Sequence, residues 1–279
     1  MKRNELLDVY AKKLHIKNYS YRTEKSYIHY LNLFLDYISN NKSQNEEPKL
    51  VINFLDYCKT EKKFSYSSMK QALASVRFLY LEVLNKQIDF NFFYKMRKPD
   101  SLPNVLSPGQ VKNIINSITN LKHKAIISTI YSCGLRLSEV VWLKISDIDS
   151  DTMMVKIVNS KGKKDRYVML SVKLLELLRE YFKEYKPKKY LFEGQMGDNY
   201  SPRSIQAVFS NAIKKTKINK KVTVHTLRHS FATHLLDNGT DIRFIQELLG
   251  HKHLSTTQIY THISTPSIKK IINPFDLIE

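Results

Sequence analysis

The sequence predicts a mainly helical protein with one small β-sheet, placed in its C-terminal half. Apolar residues recur at three- and four-residue spacing through most of the chain, while strand-like alternation is confined to residues 153–170. The stretch 97-RKPDSLPNVLS-107 carries no apolar period, and Pro99 and Pro103 disfavour helix there. We therefore expect two domains meeting near residue 103. A helical domain spans 1–98, a linker 99–106, a second domain 107–266 and a tail 267–279. A chain of 279 residues has room for a core in each.

Residues 1–95 read as helices with little else. Tyr27, Leu31, Phe34, Leu35 and Ile38 form one helical face, which Asn40-Asn41 and the polar run 42–49 break. A second face carries Val51, Phe54, Leu55 and Cys58. A third, after the serine-rich 65–68, carries Met69, Ala72 or Leu73, Val76, Leu79 or Tyr80, and Val83. Arg22, Lys25, Lys70 and Arg77 fall on the outer faces among tyrosines. Such a surface can hold DNA phosphates, although any solvated helix shows similar residues.

Beyond the linker, Ser107 as N-cap, Pro108 at N1 and Gln110 at N3 make a capping box, with Leu106 set to staple against Val111. An apolar helix over 122–132 closes at Gly134. Ser138 is placed to cap the next helix, which holds Val140, Val141 and Leu143. Glu139, three residues after Arg136, is placed to orient its guanidinium; on a surface such a pair contributes little. Met154–Val158 and Tyr167–Leu170 then read as strands around the turn Ser160–Asp165, a hairpin with Lys161 and Lys163 at its basic tip. Helices over 171–185 and 203–215 follow.

The chain then reaches its most informative stretch. His225 and Arg228 share one face at a helix start, Leu227, Phe231 and Leu235 supply the apolar face, and Asn238-Gly239 ends the helix. A second helix starts near Thr240-Asp241, carries the basic Arg243, buries Ile242, Ile245, Leu248 and Leu249, and stops at Gly250. Ser255 reads as the N-cap of a third, with Gln258 at N3 and Leu254 stapled to Ile259. Tyr260 then sits early on a short capped helix, with His251 in the turn before it. Two imidazoles, a guanidinium and a phenol are set where they can converge on one phosphate.

Composition narrows the setting. The formal net charge is +19 and is spread along the chain, which points to a polyanion partner, most simply nucleic acid. Cys58 and Cys133 lie in apolar helical patterns and read as free core thiols of a reducing compartment. No apolar run approaches membrane-spanning length and residues 1–20 are charged, so we expect a cytoplasmic protein with no membrane partner. His225, His229, His234, His251, His253 and His262 invite a zinc reading. Neither a cysteine partner nor an H-E-x-x-H spacing accompanies them, and we expect no metal and no cofactor.

Together these residues resemble the tyrosine recombinase, or phage integrase, family over 104–265. The family's G-L-R-x-S-E motif matches Gly134 to Glu139 and places its first arginine at Arg136. Its hairpin lysine matches Lys161, its H-x-x-R motif His225 and Arg228, its L-G-H motif Leu249-Gly250-His251, and its nucleophile Tyr260. Residues 19–34 are similar to the family's helical, SAM-like core-binding domain, with an integron-integrase flavour. The insertion of integron integrases before H-x-x-R is absent, so a Xer-like or transposon-type recombinase is the better match.

The resemblance implies a core-binding domain followed by an α+β catalytic domain, acting on a double-stranded DNA recombination site. It implies a tetramer on paired sites, with the tail 267–279 docked on a neighbour, accessory proteins and association with the nucleoid. It also implies cleavage and rejoining through a 3′-phosphotyrosine, for integration, excision or dimer resolution. The residue types suit that chemistry. Arg136 and Arg228 can offer paired planar donors to phosphate oxygens. His225 and His251 can donate to the same oxygens or move protons. A phenol with a reference pKa of about 10 must lose its proton during attack, with His225 the candidate base. Lys161 is the candidate acid for the departing 5′ oxygen. The covalent ester keeps the bond energy, so a hydroxyl can reverse the step without ATP. A topoisomerase-like enzyme would use the same residues without strand exchange, whereas an inactive DNA binder would have no use for Tyr260.

Overall fold

The computed structural model describes residues 2–41, 47–87, 103–158 and 165–261. Lys161, Lys163, His262, the linker as far as 102 and the tail 267–279 lie outside the described residues. The chain divides into two compact units, Met1–Asp100 and Ser101–Glu279.

The first unit holds α1 (Arg3–Ile16), α2 (Tyr21–Asn40), α3 (Glu47–Thr60) and α4 (Tyr66–Phe78), then a π-helical turn over Leu79–Val83. Ser20 and Ser65 start α2 and α4 by accepting main-chain N–H bonds from Thr23 and Ser68. Leu31, Phe34, Val51, Phe54, Cys58 and Val76 are fully buried. Removing each of these larger side chains from water contributes roughly 2 kcal/mol. The apolar period does not announce α1, because only Tyr10 and Leu14 of it are buried. The Tyr10 hydroxyl also donates to the Ser75 carbonyl at 3.0 Å. The choice between Leu79 and Tyr80 resolves into both. The wider π turn admits adjacent residues to the core, and both are buried.

The second unit holds α5 (Pro108–Asn116), α6 (Leu121–Ser132), α7 (Leu137–Trp142), β1 (Ile148–Asp149), β2 (Met154–Ile157), β3 (Arg166–Met169), α8 (Val172–Tyr185), α9 (Pro202–Lys215), α10 (Val224–Asp237), α11 (Ile242–Leu249) and α12 (Ser255–Gln258). The Ser107–Gln110 capping box opens α5. The central helix is α6, which touches α5, α7, α8, α9 and α10. Leu106 is tied to α10: its N–H donates to the Ser230 hydroxyl at 2.9 Å and its carbonyl accepts from His234 Nε2 at 2.9 Å. His234 Nδ1 accepts from the Tyr131 hydroxyl at 2.9 Å. One of the histidines that invited a zinc reading therefore anchors the start of this unit.

The expected hairpin gains a two-residue strand, too short for a periodicity to reveal. The described sheet is antiparallel in the order β1-β2-β3. Its register sets Val155 opposite Val168 and Ile157 opposite Arg166. Side chains alternate along a strand, so the burial of Val168 carries Arg166 inward and turns Tyr167 and Met169 outward.

Three expectations are corrected. Ser138 does not cap α7: the helix begins two residues earlier than that cap would set it, with Arg136 as N-cap and the Glu139 carboxylate accepting the Arg136 N–H. Ser255 does not cap α12, because Leu254 before it is already in the helical region and leaves Ser255 inside the first turn. Tyr260 consequently follows α12 instead of lying on it. On α11 only Ile245 and Leu249 are fully buried; Ile242 and Leu248 are half-buried at its edges.

Gly134, after α6, has φ +59°, and a Cβ there would lie 2.4 Å from the Phe231 ring. The missing side chain lets the end of α6 approach α10, which brings Arg136 and Arg228 together. No helix among the described residues is long and apolar enough to cross a membrane, and Cys58 and Cys133 are buried free thiols.

Candidate active site

Glu139 organises the site. Its place in the first turn of α7 lets Oε2 accept the Arg136 N–H at 2.8 Å and Oε1 accept from the Arg136 guanidinium at 2.6 Å. Arg166 arrives from β3 and donates to both oxygens, at 2.9 and 2.8 Å, while its Nε donates to the Leu248 carbonyl at 2.7 Å. Arg228 lies 3.7 Å from Oε2. The Glu139 side chain is 7% exposed, so what reads in sequence as a surface pair is one buried carboxylate beneath three guanidinium groups. Burial alone would raise its pKa. The bonds and charge of Arg166 lead a set of opposing effects, joined by the Arg136 N–H and the charge of Arg228, and bring it down to about 2. One negative charge does not balance three positive ones, and the surplus suits an incoming anion.

That arrangement has a pH signature. Because its folded pKa is depressed from 4.5, Glu139 contributes stability above pH 4.5 that is lost as pH falls toward 2. Glu139→Gln is expected to cost about 3 kcal/mol near neutral pH, leaving three guanidinium groups without their counter-charge. In urea titrations the gap between parent and variant should narrow from pH 7 to pH 3. A constant gap would mean that the carboxylate charge is not what holds the hub.

Arg228 is 1% exposed. Its Nη1 donates to the Gly134 carbonyl at 2.8 Å and its Nη2 to the Leu249 carbonyl at 2.5 Å. These carbonyls lie at the C-terminal ends of α6 and α11, where a positive charge is favoured. Nη2 also meets His251 Nε2 at 3.1 Å, and His251 Nδ1 meets the Thr257 hydroxyl at 2.9 Å. A guanidinium only donates, so Nε2 accepts and the His251 proton resides on Nδ1. Burial first, then the charges of Arg228, Arg136 and Arg166, lower the His251 pKa to about 4. Arg136 is the most open of the three arginines, at 28% side-chain exposure, and its Nη2 reaches the Gly250 carbonyl at 3.4 Å. Gly250 ends α11 with φ +61°, and a Cβ there would crowd Arg166 Cδ at 3.1 Å.

Tyr260 is 1% exposed, in a small apolar cluster with Ala232, Ile245 and Leu249. Burial raises its pKa, and the charges of Arg228 and Arg136 oppose that rise. Its hydroxyl meets His229 Nδ1 at 3.0 Å. His225, one turn earlier on α10, stands edge-on to His229 with ring centroids 4.5 Å apart. The imidazole hydrogen-bonded to the phenol is thus His229, and His225 beside it is exposed.

Of the sequence candidates, the structure gathers Arg136, His225, Arg228, His251 and Tyr260 in one place. Sequence reasoning did not name Arg166, and it met His229 only in the zinc reading that it set aside. Nothing isolates Arg166 in a run of basic residues, whereas His229 was discernible as the same-face neighbour of His225 at i+4. Among the outlying basic residues, Arg22, Lys25, Lys70 and Arg77 are exposed on α2 and α4. Lys70 and Arg77 line a cleft of about 740 Å³ with Tyr19, Tyr27 and Tyr66. Arg243 is exposed at the start of α11, in a groove of about 830 Å³ that reaches Arg166 and His251. No group of His, Cys, Asp and Glu among the described residues has the arrangement of a metal site.

A basic, mainly helical chain with a buried phenol beside clustered arginines and histidines fits the class of enzymes that break and rejoin DNA through a tyrosine, and the comparisons place it there. The family model described as "Phage integrase family" matches residues 104–266, and "Phage integrase, N-terminal SAM-like domain" matches 6–90. The chain is 38% identical to a putative integrase/recombinase of Sinorhizobium fredii, over 95% of this chain and 86% of that one. It is 34% identical to the tyrosine recombinase XerA of Pyrococcus horikoshii, over 99% and 95% respectively. Its fold is similar to that of the XerH site-specific recombinase, solved in a pre-cleavage complex with its difH substrate, with TM-score 0.75 and 23% identity over 91% of this chain and 79% of that one. The chain belongs to the phage integrase family and is a site-specific tyrosine recombinase.

Proposed function

We propose that Tyr260 attacks a phosphodiester of a double-stranded DNA recombination site while Arg136 and Arg228 hold its non-bridging oxygens. His225 and His251 border the same phosphate, and Lys161 gives the 5′ oxygen its proton. The product is a 3′-phosphotyrosine and a free 5′ hydroxyl, which a hydroxyl from a partner strand reverses. The observation that carries this reading is the placement of the phenol on His229, the residue next to Arg228 and beside the Glu139 hub. Well-placed donors on developing charge contribute roughly 3–4 kcal/mol each in a site closed to water.

The domains divide the work. Residues 1–98 supply Arg22, Lys25, Lys70 and Arg77 to the DNA backbone, and 107–266 supply the chemistry, with Arg243 and Lys163 at its margins. The XerH relative, solved on its substrate, supports duplex DNA as the partner. Strand exchange needs four protomers on two sites, with the apolar tail 267–279 as the link between them, and the enzyme works in the cytoplasm on the nucleoid with accessory proteins. Integration, excision and dimer resolution are all consistent with this chemistry.

The test starts from cells that express the full chain. DNA that stays attached through denaturation is sequenced, and the modified peptide is identified by mass spectrometry. The linkage is expected on Tyr260 at a recurring DNA sequence. A linkage on another residue, or no covalent DNA, would refute the assignment.

A further inference from the structure

We propose that His229 is the base that takes the phenolic proton of Tyr260 when a phosphate is seated on Arg136 and Arg228. The inference rests on the reading of Tyr260 as nucleophile.

The geometry singles His229 out. Its Nδ1 is 3.0 Å from the Tyr260 hydroxyl, within direct proton-transfer distance. No hydrogen bond joins His251 to the phenol: its Nε2 is engaged by Arg228 and its Nδ1 by Thr257. His225 packs edge-on against the His229 ring, with centroids 4.5 Å apart, whereas the hydrogen bond to the phenol is made by His229. Sequence spacing explains the placement. His229 follows Arg228, so the helix that aims the guanidinium also aims this imidazole, and the chain after α12 lays the phenol across it.

The electrostatics describe a base held in reserve. Burial first, then His225 and Arg228, push the His229 pKa down to about 4, while burial keeps the phenol proton on oxygen. Without DNA the pair is a hydrogen bond between neutral partners. The groups acting on His229 are His225 and Arg228 on its own helix, His251 after α11 and Tyr260 after α12. A diester brings one negative charge beside Arg228, which with burial and His225 holds this imidazole neutral, and so offsets the part that Arg228 supplies. The step balances. The Tyr260 O–H bond breaks and its proton goes to Nδ1. The phenolic oxygen bonds to phosphorus, the P–O5′ bond breaks, and the 5′ oxygen takes a proton from the acid on the far side. In rejoining, the imidazolium returns its proton to the phenol.

His229→Asn is the informative variant, because Oδ1 lies near the place of Nδ1 and accepts a hydrogen bond without taking a proton. On a nicked duplex carrying the DNA recovered on Tyr260, its single-turnover cleavage should be about 100-fold slower than the parent at unchanged DNA affinity. Replacing Tyr260 with a ring-fluorinated, more acidic tyrosine should restore most of that loss. A merely structural role for His229 would not respond to phenol acidity. Cleavage at the parental rate, or a slow variant that the fluorinated residue does not rescue, would overturn the proposal. In the free full-length protein, ¹⁵N NMR should show His229 Nδ1 unprotonated; a proton there would also overturn it. The control is Tyr260→Phe: if it still forms the covalent adduct, the nucleophile assignment itself is wrong, a failure distinct from that of His229.

Discussion

Tyr260→Phe should bind DNA as the parent does and form no covalent adduct. The ring stays in its cluster with Ala232, Ile245 and Leu249, so apolar burial is retained. What disappears is the hydroxyl and its bond to His229 Nδ1. Losing such a bond costs about 1 kcal/mol and leaves the fold intact, visible as a fall of a few degrees in Tm. The chemical loss is far larger. A phenyl ring has no nucleophilic atom, and deleting an enzyme nucleophile costs on the order of 10⁶ in rate. Mobility shift on recovered DNA measures the binding, and denaturing gels on a nicked duplex measure the adduct. An adduct retained in this variant would place the nucleophile elsewhere.

Arg228→Lys is expected to lower single-turnover cleavage by about 100- to 1000-fold while DNA affinity changes little. The guanidinium satisfies two main-chain carbonyls, those of Gly134 and Leu249, and still presents planar donors toward His251 and the site. An ammonium on a shorter reach cannot span both carbonyls and also offer paired donors to a phosphate. One buried carbonyl left unbonded adds a stability loss of about 1–3 kcal/mol, which thermal unfolding would report. The charge is conserved, so the experiment separates planar geometry from charge. Cleavage within tenfold of the parent would show that charge alone suffices.

The two arginine positions differ in how they are built, and that difference organises the site. Arg136 is half open and held by a carboxylate, so a phosphate competes with Glu139 for it. Arg228 is enclosed and held by backbone carbonyls, so it serves as a fixed reference. Arg166 joins the hairpin strand β3 to both through Glu139 and Leu248.

Local signals carried much of this protein. The helices, the Ser107 cap, the glycines that end α6 and α11, and the motif residues Arg136, His225, Arg228, His251 and Tyr260 are legible because each depends on neighbours a few positions away. Periodicity also showed the hairpin, but not β1, which is shorter than any period, nor α1, whose buried face is two residues wide.

Other features became decidable only in three dimensions. That Glu139 is a buried hub depends on Arg166, which lies 27 positions further along the chain and turns inward because Val168 does. That the phenol rests on His229 and not on His225 depends on how the chain leaves α12 and crosses α10, 31 residues from that imidazole. Sequence alone determined which chemical groups the chain carries and which helix faces hold them. Tertiary packing alone decided which imidazole meets the phenol and which carboxylate loses its water, because burial and hydrogen-bond partners are set by segments distant in the chain.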